Sequence, residues 1–242
     1  MVTKARLKLI KSLSRKKFRK EYGLFVVEGY KSISELIDSG LECEEILITE
    51  GNHHLNSYDP EVVSKKEMQS LSNVTTPPGY LAVFKTPSFS GISEGPTIAL
   101  DNIKDPGNLG TIIRLADWYG IKNIVCSDQS VDCYNPKCVQ ASMGSIARVQ
   151  IHYLELFSFL ENTDLPIHVT AMEGSSIYKT NIFQDSIIVM GNESHGVRPE
   201  ILERFSTISI PRAPSETDTE SLNVAIATSI VVSEWMRPFI EK

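Results

Sequence analysis

Three stretches of this sequence hold polar residues at spacings that could do chemistry. The first is D-N-I-K-D-P-G-N-L-G-T-I-I-R, Asp101 to Arg114. Its Pro106-Gly107 turn leads to Asn108, where an N-cap residue would stand, and then to Arg114 in the second turn of a helix. An amide and a guanidinium so placed can orient an oxygen nucleophile or hold an anion. The second is V-M-G-N-E-S-H-G-V-R-P-E, Val189 to Glu200, in which Gly191 and Gly196 bracket Glu193 and His195. Glycines there let the backbone approach a ligand closely, and the carboxylate could orient one. The third runs from Ile210-Pro211 through a polar spacer to Ser221-Leu222-Asn223, which open a long helix with small residues at Ala225, Ala227, Thr228 and Ser229. Each stretch alone also has a plainer reading. Arg114 could be a surface salt bridge, Glu193 an ordinary loop carboxylate, and Ser221 onward a capped core helix; His195 is a lesser candidate for a general base. None of the three is G-x-G-x-x-G or ends in G-K-[ST], so a nucleotide-phosphate loop is a poor fit.

The elements around these stretches alternate. Strands are expected at Thr97–Asp101, Asn123–Ser127, His168–Met172, Ser186–Met190 and Thr207–Ile210. Helices are expected near Leu109–Trp118, Val139–Ser145, Leu154–Leu160, Pro199–Phe205 and Ser221–Trp235. Such alternation predicts a mostly parallel sheet, whose ligands bind beyond the carboxyl ends of its strands. The candidate loops follow three such ends, at Asp101, Met190 and Ile210. Residues 1–88 read as a separate small α/β unit, with strands at Leu24–Gly29, Glu44–Glu50 and Gly79–Lys85 and a helix closed by Gly40. The Pro-, Ser- and Gly-rich stretch Thr86–Pro96 is the linker, and a second domain covers 96–242.

At 242 residues with 41% hydrophobic and 22% charged, the chain has the make-up of a globular protein, and no apolar run is long enough to span a bilayer. No apolar segment follows the basic N-terminus, so a secretory signal is not expected and a cytoplasmic location is. Cys43, Cys126, Cys133 and Cys138 form no C-x-x-C pair; four reduced thiols are expected, with a zinc site the minor alternative. The net charge of −6 hides an asymmetry, because residues 1–20 carry nine basic residues and no acid. That arm points either to a polyanion or to a solvated helix packed through Leu7, Ile10 and Leu13.

Taken together and in order, the three stretches resemble the motifs of the SpoU/TrmH family of RNA 2′-O-ribose methyltransferases, within the SPOUT superfamily. The matching residues are N-x-x-D-P-G-N-x-G-x-x-x-R at Asn102–Arg114, G-x-E-x-x-G at Gly191–Gly196, and Ile210-Pro211 followed by Ser221–Val224. Tyr134–Ile146 looks like the family's P-K-x-x-x-A-S-x-G segment, and the resemblance spans about residues 97–237. The N-terminal third is similar, less closely, to the RNA-binding domain that often precedes this catalytic domain; the usual proline-glutamine-glycine reads Pro77-Pro78-Gly79 here.

The resemblance implies a trefoil-knotted α/β domain that binds S-adenosylmethionine, no metal, and a homodimer acting on RNA. Ribosomal RNA is favoured over transfer RNA, and a catalytically silent RNA-binding protein is the reading from another class. It implies cofactor contacts at Gly191, Ile210 and Leu222, and catalytic roles for Asn108, Arg114, Glu193, Ser221 and Asn223. Ser221 and Asn223 would hydrogen-bond the second loop, and Glu193 would orient Arg114 or the target nucleotide. A guanidinium is very hard to deprotonate, so Arg114 is expected to act as a cation on a phosphate and on the developing alkoxide. The spacer 212–220 is longer than the family's and has no glycine, so cofactor contacts there are expected to be rearranged.

Overall fold

The structure, a computed structural model, describes residues 2–213 and 221–240. The chain divides into two compact units, Met1–Ser88 with Asp132–Arg148, and Phe89–Val131 with Val149–Lys242. The sequence-based division at 88 and 96 has no counterpart to the excursion 132–148.

In the first unit α1 (Lys4–Ser12) and α2 (Lys16–Tyr22) lead into β1 (Leu24–Glu28), α3 (Tyr30–Asp38), β2 (Cys43–Thr49), β3 (Glu61–Val63), α4 (Lys65–Leu71) and β4 (Tyr80–Lys85). The sheet order is β1-β4-β2-β3, with β4 antiparallel to β1 and β2 and with β3 parallel to β2. Ile10 and Leu13 of the basic arm are buried in its core with Leu47, Leu81 and Val83. The apolar stripe of the arm is therefore core, as helical spacing requires. Its cations divide. Arg19 is 4% exposed, donates through Nε and a terminal nitrogen to Asp132 (2.9 and 2.6 Å), and reaches the Leu13 carbonyl at 2.8 Å. Arg6 binds Glu44 and Glu45. Lys4, Lys8, Lys11, Arg15, Lys16, Lys17 and Lys20 stay exposed.

The second unit begins with β5 (Thr97–Leu100), α5 (Pro106–Trp118) and β6 (Asn123–Ser127). Then α6 (Pro136–Ser142) and a 3-10 turn (Met143–Ala147) make the excursion that belongs to the first unit. There the Tyr134 ring lies 4.6 Å from Phe25, and a Cβ at Gly144 would collide with the Glu35 side chain, so glycine lets the turn pass α3. The chain returns as β7 (Gln150–Leu154), α7 (Leu156–Glu161), β8 (Ile167–Ser176), β9 (Ile187–Met190), α8 (Pro199–Arg204), β10 (Thr207–Ser209) and α9 (Val224–Ile240). Six strands pair in the order β10-β8-β9-β5-β6-β7, all parallel. Leu156 and Leu160 of α7 and Ile201 of α8 bury against Ala99, Val125, Val169 and Val189, while α5 packs on α9.

Several boundaries differ from the sequence reading. Helix α5 starts at Pro106, because Asp105, and not Asn108, is the N-cap: its carboxylate accepts the Asn108 N–H at 2.8 Å with proline at the first helical position. Arg114 accordingly lies in the third turn. The helix ends in a Schellman pair, Ile121 N–H to the Ala116 carbonyl and Gly120 N–H to that of Asp117. The helix expected at 139–145 starts earlier, at Pro136, capped by Asn135. Strand β7 was not expected, since an edge strand with partly exposed polar residues lacks a buried run. Helix α9 starts at Val224, because Asn223 is its cap and accepts from the N–H groups of Ala225 and Ile226.

Candidate active site

The carboxyl ends of β5 and β9 are locked together first. Asp101 follows β5 and is 1% exposed. A buried carboxylate is tolerable only when paired, and this one accepts from the backbone N–H and Nε of Arg198 at 2.9 and 3.0 Å. Arg198 is the residue ahead of α8, so the pair fixes where the loop after β9 must end. Neither residue stood out in the sequence; the available signal was an acid closing a buried strand and an arginine before a helix-starting proline.

Asn192 then shapes that loop. Its backbone exchanges two 2.9 Å hydrogen bonds with Gly196, closing residues 192–196 into a tight turn. Its side-chain oxygen accepts from the N–H groups of Ser194 and His195, an Asx turn, and its amide donates to the Asn102 carbonyl at 2.8 Å. Asn102 itself has φ of 60°, a left-handed geometry that asparagine tolerates, and its N–H is held by the Ser127 hydroxyl. Gly191 is required by close approach: a Cβ would collide with the backbone of Gly196 and Val197. His195 is exposed, with its ring nitrogen 3.3 Å from the same Asn192 oxygen.

On this frame Asn108, Glu193 and Asn223 form one hydrogen-bonded chain. Asn108 Nδ2 donates to Glu193 Oε1 at 2.8 Å, and Asn223 Nδ2 donates to Asn108 Oδ1 at 3.0 Å. The direction follows from chemistry. An ionised carboxylate only accepts, so Asn108 must turn its NH2 to Glu193 and its oxygen to Asn223. Asn223 thus reaches the second loop through Asn108 and does not bond it directly, as the sequence reading had it. Ser221 makes no hydrogen bond to residues 192–196. Asn223 was expected to bond that loop directly because sequence order cannot show that Asn108, at the amino end of α5, lies between them.

A cavity of about 670 Å3 opens beside the chain, within the ~300–1,000 Å3 usual for small-molecule sites. Met190, Gly191, Ile210, Leu222 and Val231 give it apolar walls, and Glu193 and Ser221 stand among its polar groups. The three residues expected against a cofactor, Gly191, Ile210 and Leu222, all line it. Leu222 remains 47% exposed, an apolar side chain left open at this wall. Arg114 does not join the cluster. It is exposed, six residues beyond Asn108 and so about 120° away around α5, and has no ion pair among the described residues. Thr111 and the 84% exposed Trp118 share its face. Residues 214–220 of the long spacer lie outside the described residues. Among the described residues no group of three or more His, Cys, Asp or Glu could hold a metal, and no helix is long and apolar enough to cross a membrane.

The arrangement is a parallel sheet whose second and third loops line a cofactor-sized cavity, with Asn108 of the first hydrogen-bonded to Glu193 at its wall. Residues 95–233 match the SpoU rRNA Methylase family, and the chain belongs to it. Residues 4–82 match the MRM3-like substrate binding domain. The chain is 27% identical over 230 residues to the Bacillus subtilis 23S rRNA (guanosine(2553)-2′-O)-methyltransferase RlmP, covering 92% of each. Among solved structures it resembles a putative RNA methyltransferase of the TrmH family from Porphyromonas gingivalis, with TM-score 0.87 and 35% identity over 98% of this chain and 99% of that one. An rRNA methyltransferase from Sinorhizobium meliloti, solved with AdoMet bound, has TM-score 0.87 and 26% identity over 99% and 97%.

Proposed function

We propose that this protein methylates a ribose 2′-hydroxyl of ribosomal RNA with S-adenosylmethionine as donor. The observation that carries this is the Asn223–Asn108–Glu193 chain at the edge of the 670 Å3 cavity. The residues fit the cofactor: the walls are apolar, the glycine at 191 admits backbone contact, and Leu222 offers an uncovered apolar surface. Gly191, Ile210 and Leu222 would hold it. When bound, S-adenosylmethionine supplies an already activated methyl group. The chain's own residues then have to position the ribose oxygen and support the charge that grows on it. Glu193, fixed from both sides by Asn108 and Asn192, orients the nucleotide, while Ser221 supplies a hydroxyl at the cavity wall.

Arg114 supplies a cation to an RNA phosphate and to the developing alkoxide. It does so in a homodimer whose interface includes the outer face of α5. The bare Trp118 beside Arg114 supports this, since a large exposed aromatic next to an unpaired cation suits a covered interface. The family's trefoil knot is part of this reading, and so is action in the cytoplasm, where the thiols of Cys43, Cys126, Cys133 and Cys138 would stay reduced. The exposed lysines of the basic arm meet RNA phosphates, a contact that weakens with salt. Incubation with labelled S-adenosylmethionine and deproteinised 23S rRNA tests the proposal. Label should enter one ribose 2′-oxygen, as mapped by resistance to alkaline cleavage. Label confined to transfer RNA, or none with either RNA, would refute it.

A further inference from the structure

The first unit contains a second cavity of about 320 Å3 that the methyl-transfer reading leaves without a use. We propose that it holds the base of an unpaired nucleotide of the RNA substrate, one that is recognised and not modified; this rests on the RNA-methylating reading above. The cavity opens where β1 ends, between the start of α3, the loop 73–78 and the excursion helix α6. Val26, Val27 and Val139 contribute apolar lining, which suits the face of a flat heterocycle. Ser32, Thr76 and Gln140 lie around it, and each can both donate and accept, as the edge of a base requires. Lys137 adds a cation for the adjoining phosphate.

The charge pattern fits this ligand. Glu28 is the one carboxylate at the cavity, and both its oxygens are engaged, one by the Ser72 hydroxyl and the other by the Asn73 N–H at 2.7 Å. It holds the loop in place, and the Lys137 cation at the same cavity opposes its charge toward a phosphate. Tyr30, at the start of α3, keeps 37% of its surface exposed while its ring stands 4.7 Å from that of His54 and 6.0 Å from that of Tyr80. Tyr30 lies in sequence between the lining residues Gly29 and Ser32, and a buttressed, partly exposed aromatic is the kind of stacking platform that single-stranded RNA uses. Volume agrees as well, since 320 Å3 lies at the small end of ligand sites. Residues 4–82 of the unit match a substrate binding domain, which favours RNA over a free nucleotide.

Thr76 and Gln140 are exposed, so Thr76→Trp and Gln140→Trp should fill the cavity without disturbing the core. With the full-length protein and a 23S rRNA transcript, each variant should raise the KM for RNA about tenfold or more, the loss of one stacked base. The kcat at saturating RNA, the affinity for S-adenosylmethionine and the melting temperature should stay as in the unmodified protein. Ultraviolet cross-linking should attach nucleotides to peptides spanning 26–32 and 137–143. If the unmodified protein methylates the transcript, both variants keep its KM and those peptides stay free, the cavity assignment is overturned and the activity stands. If no RNA is methylated, the activity reading fails, and filter binding of the transcript decides the cavity: an unchanged Kd in both variants overturns it. Binding of nucleoside monophosphates at micromolar concentration, with RNA affinity unaffected by the variants, overturns it too.

Discussion

Replacing Asn108 by aspartate cuts one half of the active-site chain and spares the other. Asn223 can still donate to an oxygen at that position, so the tie to α9 survives. The donor to Glu193 is lost, and a carboxylate takes its place 2.8 Å from Glu193 Oε1. A hydrogen bond to a charged group is worth about 1.5–3 kcal/mol. Two unit charges about 4 Å apart repel by roughly 1 kcal/mol in water and roughly 4 kcal/mol near a protein surface. The two side chains are partly exposed and can swing apart, so the upper figures will not be reached together. A loss of about 2–4 kcal/mol is expected, or roughly 30- to 1,000-fold in kcat/KM for RNA. The assay is methyl transfer to 23S rRNA at saturating S-adenosylmethionine. The sign of its pH dependence is diagnostic. Like charges raise one carboxyl's pKa, so acid restores a donor between N108D and Glu193. The ratio of N108D to unmodified activity should therefore rise as pH falls from 8 to 6. Undiminished kcat/KM, or a ratio that falls in acid, would show that the Asn108–Glu193 contact does no catalytic work.

Four further outcomes can be checked. Arg114→Ala should abolish methyl transfer while leaving calorimetric S-adenosylmethionine affinity within about twofold; normal turnover would remove Arg114 from the mechanism. Gly191→Ala forces a methyl group into the backbone of Gly196 and Val197, so cofactor binding should be lost together with about 2–4 kcal/mol of stability in urea. Asp132→Ala leaves Arg19 buried without its carboxylate and should cost about 3–5 kcal/mol, read as a lower denaturation midpoint; a loss under ~1 kcal/mol would mean that Arg19 finds water. His168 is half buried on β8, both ring nitrogens lack a partner among the described residues, and burial holds its pKa below the usual histidine value. The folded protein therefore binds fewer protons than the unfolded chain. Stability from this group is full above about pH 6.5 and is lost as pH falls below it toward the lower, folded-state value. His168→Gln should flatten that decline in urea titrations between pH 7.5 and 5.5.

Much of this site could be read from the chain, because its parts are local. Gly191 and Ile210 directly follow β9 and β10, Leu222 stands just ahead of α9, and all three line one cavity. Asn108 and Glu193 carry side chains of the right chemistry, but their contact spans 85 residues, and only the sheet order β9-β5 brings it about. Asp101–Arg198 and Asn192 were missed for the same reason: a clamp between distant loops leaves no spacing to read. The N-cap at Asp105 was misassigned by three residues, since both Asp105 and Asn108 are capping types and proline at 106 is the deciding feature. The basic arm could not be sorted by composition, because a count of charges cannot tell a solvated lysine from Arg19, buried on Asp132.

The return of Asp132–Arg148 to the first unit sets an order on synthesis. When residue 88 has left the ribosome, the four strands of that unit exist, yet Arg19 has no counter-charge and Phe25 lacks the Tyr134 ring. Both arrive only after a further 46 residues, from 88 to 134, have been made. At roughly 5–20 residues per second that is a wait of about 2–9 s. During it the nascent unit carries an uncovered arginine and an open apolar surface. The interval is long enough for a chaperone to bind, and the unit's last stitch is made from the middle of the chain.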